Sequence, residues 1–378
     1  MLQALREFKV GRPQVYAGLM LLIFMAQCFW TANTRKLSDL EYRYIASGLT
    51  GKSEKAANPS PFTGWVAALP VRLITLARKI AMPSMNAALA IPRPWMLRLP
   101  FIVFGVWLGA ALWWVARRLF DDEGGYVALA LYCTSPAMIT ISSNIGPEIL
   151  LAWSSLGLIY TAIGVAHTLY APPKKWLPRI VILGLSIGFA LATFWGSFTL
   201  VLLAFGYMMY LAPGCRQRAI MVLASASVIG CAVWAIIYWL TGSFGLSVKA
   251  LLAQKPALEA LGNLAFALSG HTDGYVLVFL FIAALTAYGS WPRARYFGNT
   301  APLLTGLAAV LLFSLVPAIH TWDATLGLSF VFIFVGGLAA DFLETRYRRP
   351  LALILAACFV LRAVLTVIVL RNWAQNLM

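Results

Sequence analysis

Charged residues are scarce in this chain. Asp, Glu, Lys and Arg make up 11% of its 378 residues, whereas apolar residues make up 61%. A water-soluble domain could not bury that much apolar surface. The composition therefore excludes an ordinary soluble protein and favours a chain that lies largely inside a membrane.

Acidic residues are the scarcest charged group, with 13 Asp and Glu against 29 Lys and Arg and a net charge of +16. In a soluble protein this excess would suggest a nucleic-acid partner. Here the basic residues lie mainly in short loops between apolar runs, which is typical of cytoplasmic loops and of contact with anionic lipid headgroups. We therefore expect membrane lipids as partners and no nucleic acid.

Cysteine and histidine are also few, with five Cys and three His in the chain. Four of the cysteines fall inside apolar runs, and no CxxC or Cys/His metal spacing occurs, so we expect no disulfide. The first apolar run ends without a small-residue cleavage site, which predicts a retained first helix rather than a signal peptide.

Long apolar runs dominate the chain instead. Each is long enough to cross a bilayer as a helix, which takes about 20 residues. The sequence therefore predicts an all-α polytopic membrane protein with a single transmembrane domain over residues 1–378, about eleven spans and no soluble C-terminal domain. The predicted spans are 13–33, 98–119, 124–142, 147–169, 178–195, 197–213, 219–241, 273–291, 300–319, 323–342 and 350–370.

The distribution of Lys and Arg predicts the orientation. With the N-terminus in the cytoplasm, every short loop on that side is basic and the short outer turns carry almost no Lys or Arg. Two longer segments, 34–97 and 242–272, then lie outside the membrane. In the first, residues 62–82 mix apolar and basic side chains, which indicates an amphipathic helix in the outer interface, interrupted near Pro70.

Several acids fall at the predicted outer ends of helices. Asp39 and Glu41 follow the first span, while Glu148 and Asp323 open later ones. If the helices bundle, these acids line an outer cavity together with Tyr44 and His320. A plainer interpretation is equally open, since acids at helix starts cap free N–H groups and favour the helix dipole.

One charge, that of Arg362, lies deep inside a predicted span. A charge at that depth is costly, so it either snorkels towards the interface or faces the bundle interior. In the second case it would pair with a lipid phosphate or an internal acid.

Taken together, these motifs resemble the GT-C superfamily of membrane glycosyltransferases, and most closely its protein O-mannosyltransferase and aminoarabinose transferase branch. The sequence "LEYRY" (Leu40 to Tyr44) stands where that branch has an Asp-Glu pair and an Arg-Tyr after its first helix. Further similar stretches are "NPSPFTGWVAAL", the segment from "RLPFIVFGVW" to "CTSPAMITISS", "GPEILLAW" and "HTWDATLGLSF".

The resemblance implies transfer of a sugar from a polyprenyl-phosphate carrier to an envelope lipid, glycan or protein on the outer face of a bacterial inner membrane. Asp39, Glu41 and Glu148 are then the catalytic candidates, because a carboxylate can take the proton of an acceptor hydroxyl. Tyr44, His320 and Asp323 would line the acceptor cavity. The resemblance leaves open whether a divalent metal is bound. Basic residues would hold the donor phosphate, and the candidates are Arg72, Arg78, Lys79, Arg93, Arg98 and Arg362.

The chain departs from this pattern at one central position. Leu40 occupies the place of the catalytic Asp, and a leucine cannot accept a proton. Either Asp39 or Glu41 acts instead, or the protein is a non-catalytic GT-C-like subunit that binds lipid or scaffolds a complex. A partner subunit would also supply acceptor recognition. A transporter is disfavoured, because repeat symmetry and carboxylates in mid-span are missing from the sequence.

Overall fold

The computed structural model describes residues 12–50, 60–81, 93–241, 275–314, 323–345 and 347–375. The predicted outer segment 242–272 and His320 lie outside these ranges, as do the side chains of Arg78, Lys79 and Asp323.

The described residues fold into helices and contain no strand. In chain order the helices are α1 (Arg12–Thr34), α2 (Asp39–Thr50), α3 (Pro61–Ala81), α4 (Pro94–Cys133), α5 (Pro136–Ser143), α6 (Glu148–Thr168), α7 (Pro173–Thr193), α8 (Phe198–Leu211), α9 (Arg216–Leu240), α10 (Tyr275–Ser290), α11 (Phe297–Ser314), α12 (Asp323–Leu343) and α13 (Arg348–Gln375). The all-α membrane fold predicted from the sequence is therefore confirmed.

Seven of these helices are long and apolar enough to cross a membrane, namely α1, α4, α6, α7, α9, α12 and α13. Shorter apolar helices include α8, α10 and most of α3. The protein is thus an integral membrane protein, while the number of eleven spans stays a prediction.

Helix α4 is the centre of the bundle and packs against α1, α3, α5, α6 and α12. Helices α6 and α12 are mostly buried, whereas α1, α9 and α13 expose large apolar side chains such as Leu22, Trp239 and Val360. Exposed apolar side chains on the outer helices suit a lipid solvent, in which no hydrophobic force drives them inward.

The predicted boundary between the spans 98–119 and 124–142 agrees with the structure. The backbone of α4 leaves the helical conformation at Phe120 and Asp121, where the φ angle of Asp121 is +59°, so α4 consists of two helical segments joined by a kink. The Tyr132 hydroxyl of the second segment donates to the Gly105 carbonyl of the first at 2.6 Å, so the two segments pack against each other. The second predicted span is then interrupted at Thr134 and Ser135. Ser135 caps α5 by accepting a hydrogen bond from the Met138 amide at 3.2 Å, which ends one helix and starts the next.

Two helices, α2 and α3, follow α1, and α3 corresponds to the amphipathic helix predicted over residues 62–82. The expected interruption of α3 near Pro70 is wrong, because α3 is helical from Pro61 to Ala81. Buried side chains on both sides of the proline, Phe62, Val66 and Val71, hold α3 against the core. Packing therefore outweighs the helix-breaking tendency of proline here.

Candidate functional site

The N-terminus of α2 is closed by a reciprocal cap. The Ser38 amide donates to Glu41 Oε2 at 2.8 Å, and the Glu41 amide donates to Ser38 Oγ at 3.3 Å. This is the Ser-x-x-Glu capping box, in which two free helix N–H groups are satisfied together. The four residues "SDLE" carry the signal for it, but the sequence interpretation above did not use that signal.

The same Glu41 carboxylate forms a buried ion pair with Arg98 of α4. Arg98 Nε donates to Glu41 Oε1 and Arg98 Nη2 donates to Oε2, both at 2.8 Å. Only 1% of the Arg98 side chain and 6% of the Glu41 side chain are exposed. Such a two-pronged geometry is the strongest form of the arginine–carboxylate contact.

Arg98 also ends the first helix. Its Nη1 donates to the carbonyl oxygens of Ala32 and Arg35, both at 2.8 Å, and its Nη2 donates to that of Lys36 at 2.9 Å. These contacts occupy all five N–H donors of the guanidinium. Arg98 therefore holds the end of α1 and the start of α2 together, so we treat it as a residue that positions the site.

Glu41 is equally occupied. Besides Arg98 and Ser38, the Ile145 amide in the α5–α6 turn donates to Oε1 at 3.0 Å. Burial would raise the pKa of Glu41, but the hydrogen bonds and charge of Arg98, with the two amides, outweigh burial and hold the pKa below its usual value. A carboxylate that is ionised and fully hydrogen-bonded is a poor proton acceptor. The role of Glu41 is therefore structural: through these hydrogen bonds it connects α1, α2, α4 and the α5–α6 turn.

Glu148, the first residue of α6, stands beside this cluster. It is half-buried, and its carboxylate folds back over Gly146, where any Cβ would overlap Glu148 Oε2. The carboxylate is close enough to interact electrostatically with Glu41. Its own backbone amide is close enough to donate a hydrogen bond to the carboxylate, and among the described residues no side chain donates one. Glu148 is therefore the acid of this cluster that retains acceptor capacity.

Tyr44 lies one turn after Glu41 on α2 and is 9% exposed. Burial, with a further contribution from the Glu148 carboxylate, raises the pKa of Tyr44. The phenol therefore stays protonated at neutral pH and can donate a hydrogen bond. The structure thus brings together four residues that the sequence singled out: Glu41, Arg98, Glu148 and Tyr44.

Other predicted residues lie elsewhere or at the edge of this cluster. Asp39 and Leu40 are exposed in the first turn of α2. Arg72 of α3 is exposed and donates to the Gly48 carbonyl at the end of α2. Asp39 therefore remains available to solvent, whereas Arg72 ties α3 to α2.

Arg362 on α13 is buried in a second polar cluster. Its Nε donates to Thr134 Oγ1 at 3.1 Å, its Nη2 donates to the Leu131 carbonyl at 3.3 Å, and its guanidinium lies 5.9 Å from the ring centre of Phe332. These partners belong to the C-terminal end of α4 and to α12. Arg362 therefore faces the bundle interior and does not snorkel.

The sequence interpretation missed Arg35, which follows α1 directly. This half-buried residue donates from Nη1 to Asn144 Oδ1 at 3.4 Å, next to the amide that holds Glu41. Burial and the neighbouring Arg98 charge lower the pKa of Arg35, while Glu41 raises it. Because Glu41 is already paired with Arg98, Arg35 is a partly desolvated cation that a bound anion would stabilise.

A metal site does not emerge from the part of the chain that the structure describes. Within those ranges no three His, Cys, Asp or Glu residues come together in a group that could hold a metal ion. Binding of a divalent metal therefore stays a prediction from the sequence.

Comparison with known proteins supports the fold. Residues 82–240, less than half of the chain, match the family model of dolichyl-phosphate-mannose-protein mannosyltransferases. A search of curated protein sequences gave no match.

Solved structures match over almost the whole chain. The structure of ArnT from Cupriavidus metallidurans bound to undecaprenyl phosphate aligns with a TM-score of 0.66 and 15% identity, covering 96% of this chain and 72% of that one. The apo oligosaccharyltransferase of Archaeoglobus fulgidus aligns with a TM-score of 0.54 and 14% identity, covering 96% of this chain and 55% of that one. The protein therefore has the GT-C fold of membrane glycosyltransferases, as the sequence resemblance predicted.

Proposed function

We propose that this protein transfers a sugar from a polyprenyl-phosphate-linked donor to an envelope lipid, glycan or protein on the outer face of a bacterial inner membrane. The GT-C fold and the match of residues 82–240 to the mannosyltransferase family support a transferase. The undecaprenyl phosphate in the ArnT structure supports the class of donor.

In this proposal Glu148 is the proton acceptor. It removes the proton of the acceptor hydroxyl as that oxygen attacks the anomeric carbon of the sugar, and the bond from that carbon to the phosphate oxygen breaks. The observation that carries the assignment is the Glu148 carboxylate, which lies beside a buried and saturated Glu41–Arg98 pair yet keeps its acceptor capacity. Asp39, exposed at the start of α2, is the second candidate for the same role.

Arg35 is the proposed contact for the leaving phosphate. Its guanidinium lies at the edge of the cluster, and none of the described carboxylates forms an ion pair with it, because Arg98 takes both oxygens of Glu41. A cation at this place would stabilise the negative charge that grows on the departing polyprenyl phosphate. Tyr44 would donate a hydrogen bond to the acceptor or to the sugar. His320 and Asp323 remain proposed cavity residues.

The test is mass spectrometry of envelope glycolipids and glycoproteins from a host that lacks this gene. The host is complemented with wild-type protein, with Glu148→Gln or with Asp39→Asn, each at equal abundance in the membrane. We expect a sugar modification that is lost on deletion, restored by the wild type and by Asp39→Asn, and still missing with Glu148→Gln. Restoration by Glu148→Gln together with loss in Asp39→Asn would move the base to Asp39.

A non-catalytic subunit is the second candidate function, and two observations favour it. Leu40 replaces the expected acid and is 53% exposed, and Glu41 is fully engaged in structure. This hypothesis predicts that both acid variants restore every glycan and that the protein copurifies with a stable membrane partner. A glycan profile that stays unchanged when the gene is deleted would also contradict the transferase hypothesis.

A further inference from the structure

Two turns at one end of the bundle are in direct contact. The Arg218 Nη1 atom donates to the Leu169 carbonyl at 3.4 Å, and a Cβ at Gly214 would lie 3.5 Å from the Tyr170 ring. The first turn joins α6 to α7 and the second joins α8 to α9. The two turns therefore present one continuous surface.

The helices that start at these turns run in parallel. Gly184 of α7 lies against Ile229 of α9, and Gly188 lies against Val233, so equal steps along one helix match equal steps along the other. The close glycine contacts bring the two helix axes together. The first turns of α7 and α9 consequently stand side by side at the same level.

The N-terminal two turns of α7 and the first turn of α9 are strongly basic. Four exposed residues, which we call the basic platform, are Lys174, Arg179, Arg216 and Arg218. No Asp or Glu occurs anywhere between residues 149 and 258. Among the described residues, none of the four takes part in an ion pair.

The other basic turns at this end differ from the basic platform. Three ion pairs occur there: Arg117 with Asp122, Arg348 with Glu123 at 3.1 Å, and Arg293 with Glu344 at 3.3 Å. Each of those turns thus contains or meets a carboxylate. In the described part of the chain, by contrast, the basic platform meets only neutral acceptors: Arg179 donates to the Gly164 carbonyl at 2.9 Å and Arg218 to that of Leu169.

The surroundings point to the membrane surface as the source of the missing negative charge. Tyr170 is 57% exposed and Trp176 is half-buried in the same turn, and both are residue types that prefer the headgroup level of a bilayer. Cations in the first turn of a helix also oppose its dipole, which a bound anion would offset.

We infer that the basic platform binds the phosphate headgroups of anionic phospholipid in the adjacent leaflet. Lys174 and Arg179 of α7 and Arg216 and Arg218 of α9 would contact the headgroup phosphates, and Tyr170 and Trp176 would lie along the glycerol region. Basic surfaces between membrane helices favour anionic lipids over zwitterionic ones for this electrostatic reason. The inference does not depend on the proposed transferase activity.

Native mass spectrometry of the purified full-length protein tests this site with tetraoleoyl cardiolipin as the probe and dioleoyl phosphatidylcholine as the neutral lipid. We expect Lys174→Gln/Arg216→Gln to weaken cardiolipin binding by about 25-fold, since each basic residue at an anionic surface contributes roughly fivefold. Phosphatidylcholine binding should not change. The variant is suitable because both residues are exposed and neither side chain has a described hydrogen bond.

The matched control is Arg293→Gln/Arg348→Gln, which removes two basic residues from the paired turns. It should leave cardiolipin affinity within about twofold, because its charges are already balanced by carboxylates. The conservative Lys174→Arg/Arg216→Lys variant should bind like the wild type. Equal loss in the control, or no loss in the platform variant, would overturn the inference.

Salt dependence of the wild type gives a test that needs no variant. Cardiolipin affinity should fall as ammonium acetate is raised, because exposed charges are screened over about 10 Å at 0.1 M salt. Inorganic phosphate at millimolar concentration should not displace the lipid. Binding that ignores salt, or that free phosphate abolishes, would overturn a headgroup site.

Discussion

Single residues decide what the acids after the first helix do. Glu41 accepts four hydrogen bonds from Arg98, Ser38 and Ile145, so its place near the membrane surface has a structural cause. Glu148 lies three residues after Ile145, and within the described ranges no side chain donates a hydrogen bond to its carboxylate. We therefore expect substitutions of the two acids to affect different properties of the protein.

Neutralising Glu41 should mainly destabilise the fold. The Glu41→Gln variant leaves Arg98 buried without its counter-ion, and breaking such a pair costs about 3–5 kcal/mol. Thermal unfolding of the protein in detergent should show a clearly lower midpoint temperature for Glu41→Gln than for the wild type. The exposed Asp39→Asn change should cost little. Equal midpoints for Glu41→Gln and wild type would contradict the positioning role.

The same pair predicts a pH dependence of stability. Because the folded-state pKa of Glu41 lies below its ordinary value of 4.5, folding stabilises the ionised form. That contribution is fully present above about pH 4.5 and is lost as the pH falls through the lowered pKa. The difference in unfolding midpoint between wild type and Glu41→Gln should therefore be constant from pH 7 to pH 5 and shrink at lower pH. A difference that grows on acidification would show that another group is responsible.

Arg35 tests the phosphate contact. Losing one charge-assisted hydrogen bond costs about 1.5–3 kcal/mol, so Arg35→Gln should bind undecaprenyl phosphate roughly 10- to 150-fold more weakly than the wild type. The matched control is Arg43→Gln, an exposed arginine on α2. Binding to the detergent-purified protein is measured by native mass spectrometry. Similar losses in both variants would indicate a general charge effect rather than a contact.

At the scale of elements, the crossing of α2 and α3 sets the position of the acids. A Cβ at Gly48 would overlap the Gly64 carbonyl oxygen, so the two helices touch backbone to backbone. A carbonyl in a packed helix cannot move away as the tip of a side chain can. The cap, Glu41 and Tyr44 all lie on the helix that this contact fixes.

Gly48→Ala should therefore displace α2, lower stability by about 1–3 kcal/mol and reduce any transfer activity. Gly206→Ala on α8 is the control, because nothing lies within 4 Å of its Cβ position. That change should be neutral or slightly stabilising, since alanine favours helices. The comparison uses thermal midpoints and product yield. Unchanged midpoint and yield in Gly48→Ala would mean that α2 tolerates a shift there.

At the scale of the whole molecule, the apolar runs predicted most helices well. The predicted spans 147–169 and 323–342 correspond to α6 (Glu148–Thr168) and α12 (Asp323–Leu343), because hydropathy is a property of the local sequence. The break at Thr134 and Ser135 lay hidden inside an apolar run. Its cause is a side-chain cap rather than a loss of hydropathy.

The site was predictable only in part, for a physical reason. Acid positions can be found in the sequence, so Glu41 and Glu148 were predicted as candidates. The Ser-x-x-Glu pattern was also visible in the sequence, but the prediction did not use it. The partners of Arg98 lie 57 to 66 residues away along the chain, and three of them are main-chain carbonyls that leave no sequence signal. Because these contacts cannot be read from the sequence, Arg98 was predicted as a phosphate ligand.

The orientation of the whole protein in the membrane, with its N-terminus in the cytoplasm, is also a prediction. Ser38→Cys and Gln217→Cys each place a single cysteine in a variant whose native cysteines have been replaced. Both positions are exposed, so a thiol reagent can reach them. In intact cells a membrane-impermeant maleimide should label position 38, and it should label position 217 only after permeabilisation. The opposite pattern would invert the topology and place the acid cluster in the cytoplasm.

The central claim, transfer of a sugar with Glu148 as the base, is tested most directly by release of free polyprenyl phosphate. Purified protein in lipid nanodiscs is incubated with lipid-linked sugars and acceptors extracted from its host, and the free carrier is quantified by mass spectrometry. Wild type should release it. Glu148→Gln, with an unchanged thermal midpoint, should be about 10²- to 10⁴-fold slower. Release by Glu148→Gln at the wild-type rate would contradict the assignment, and no release by either protein would favour the non-catalytic subunit.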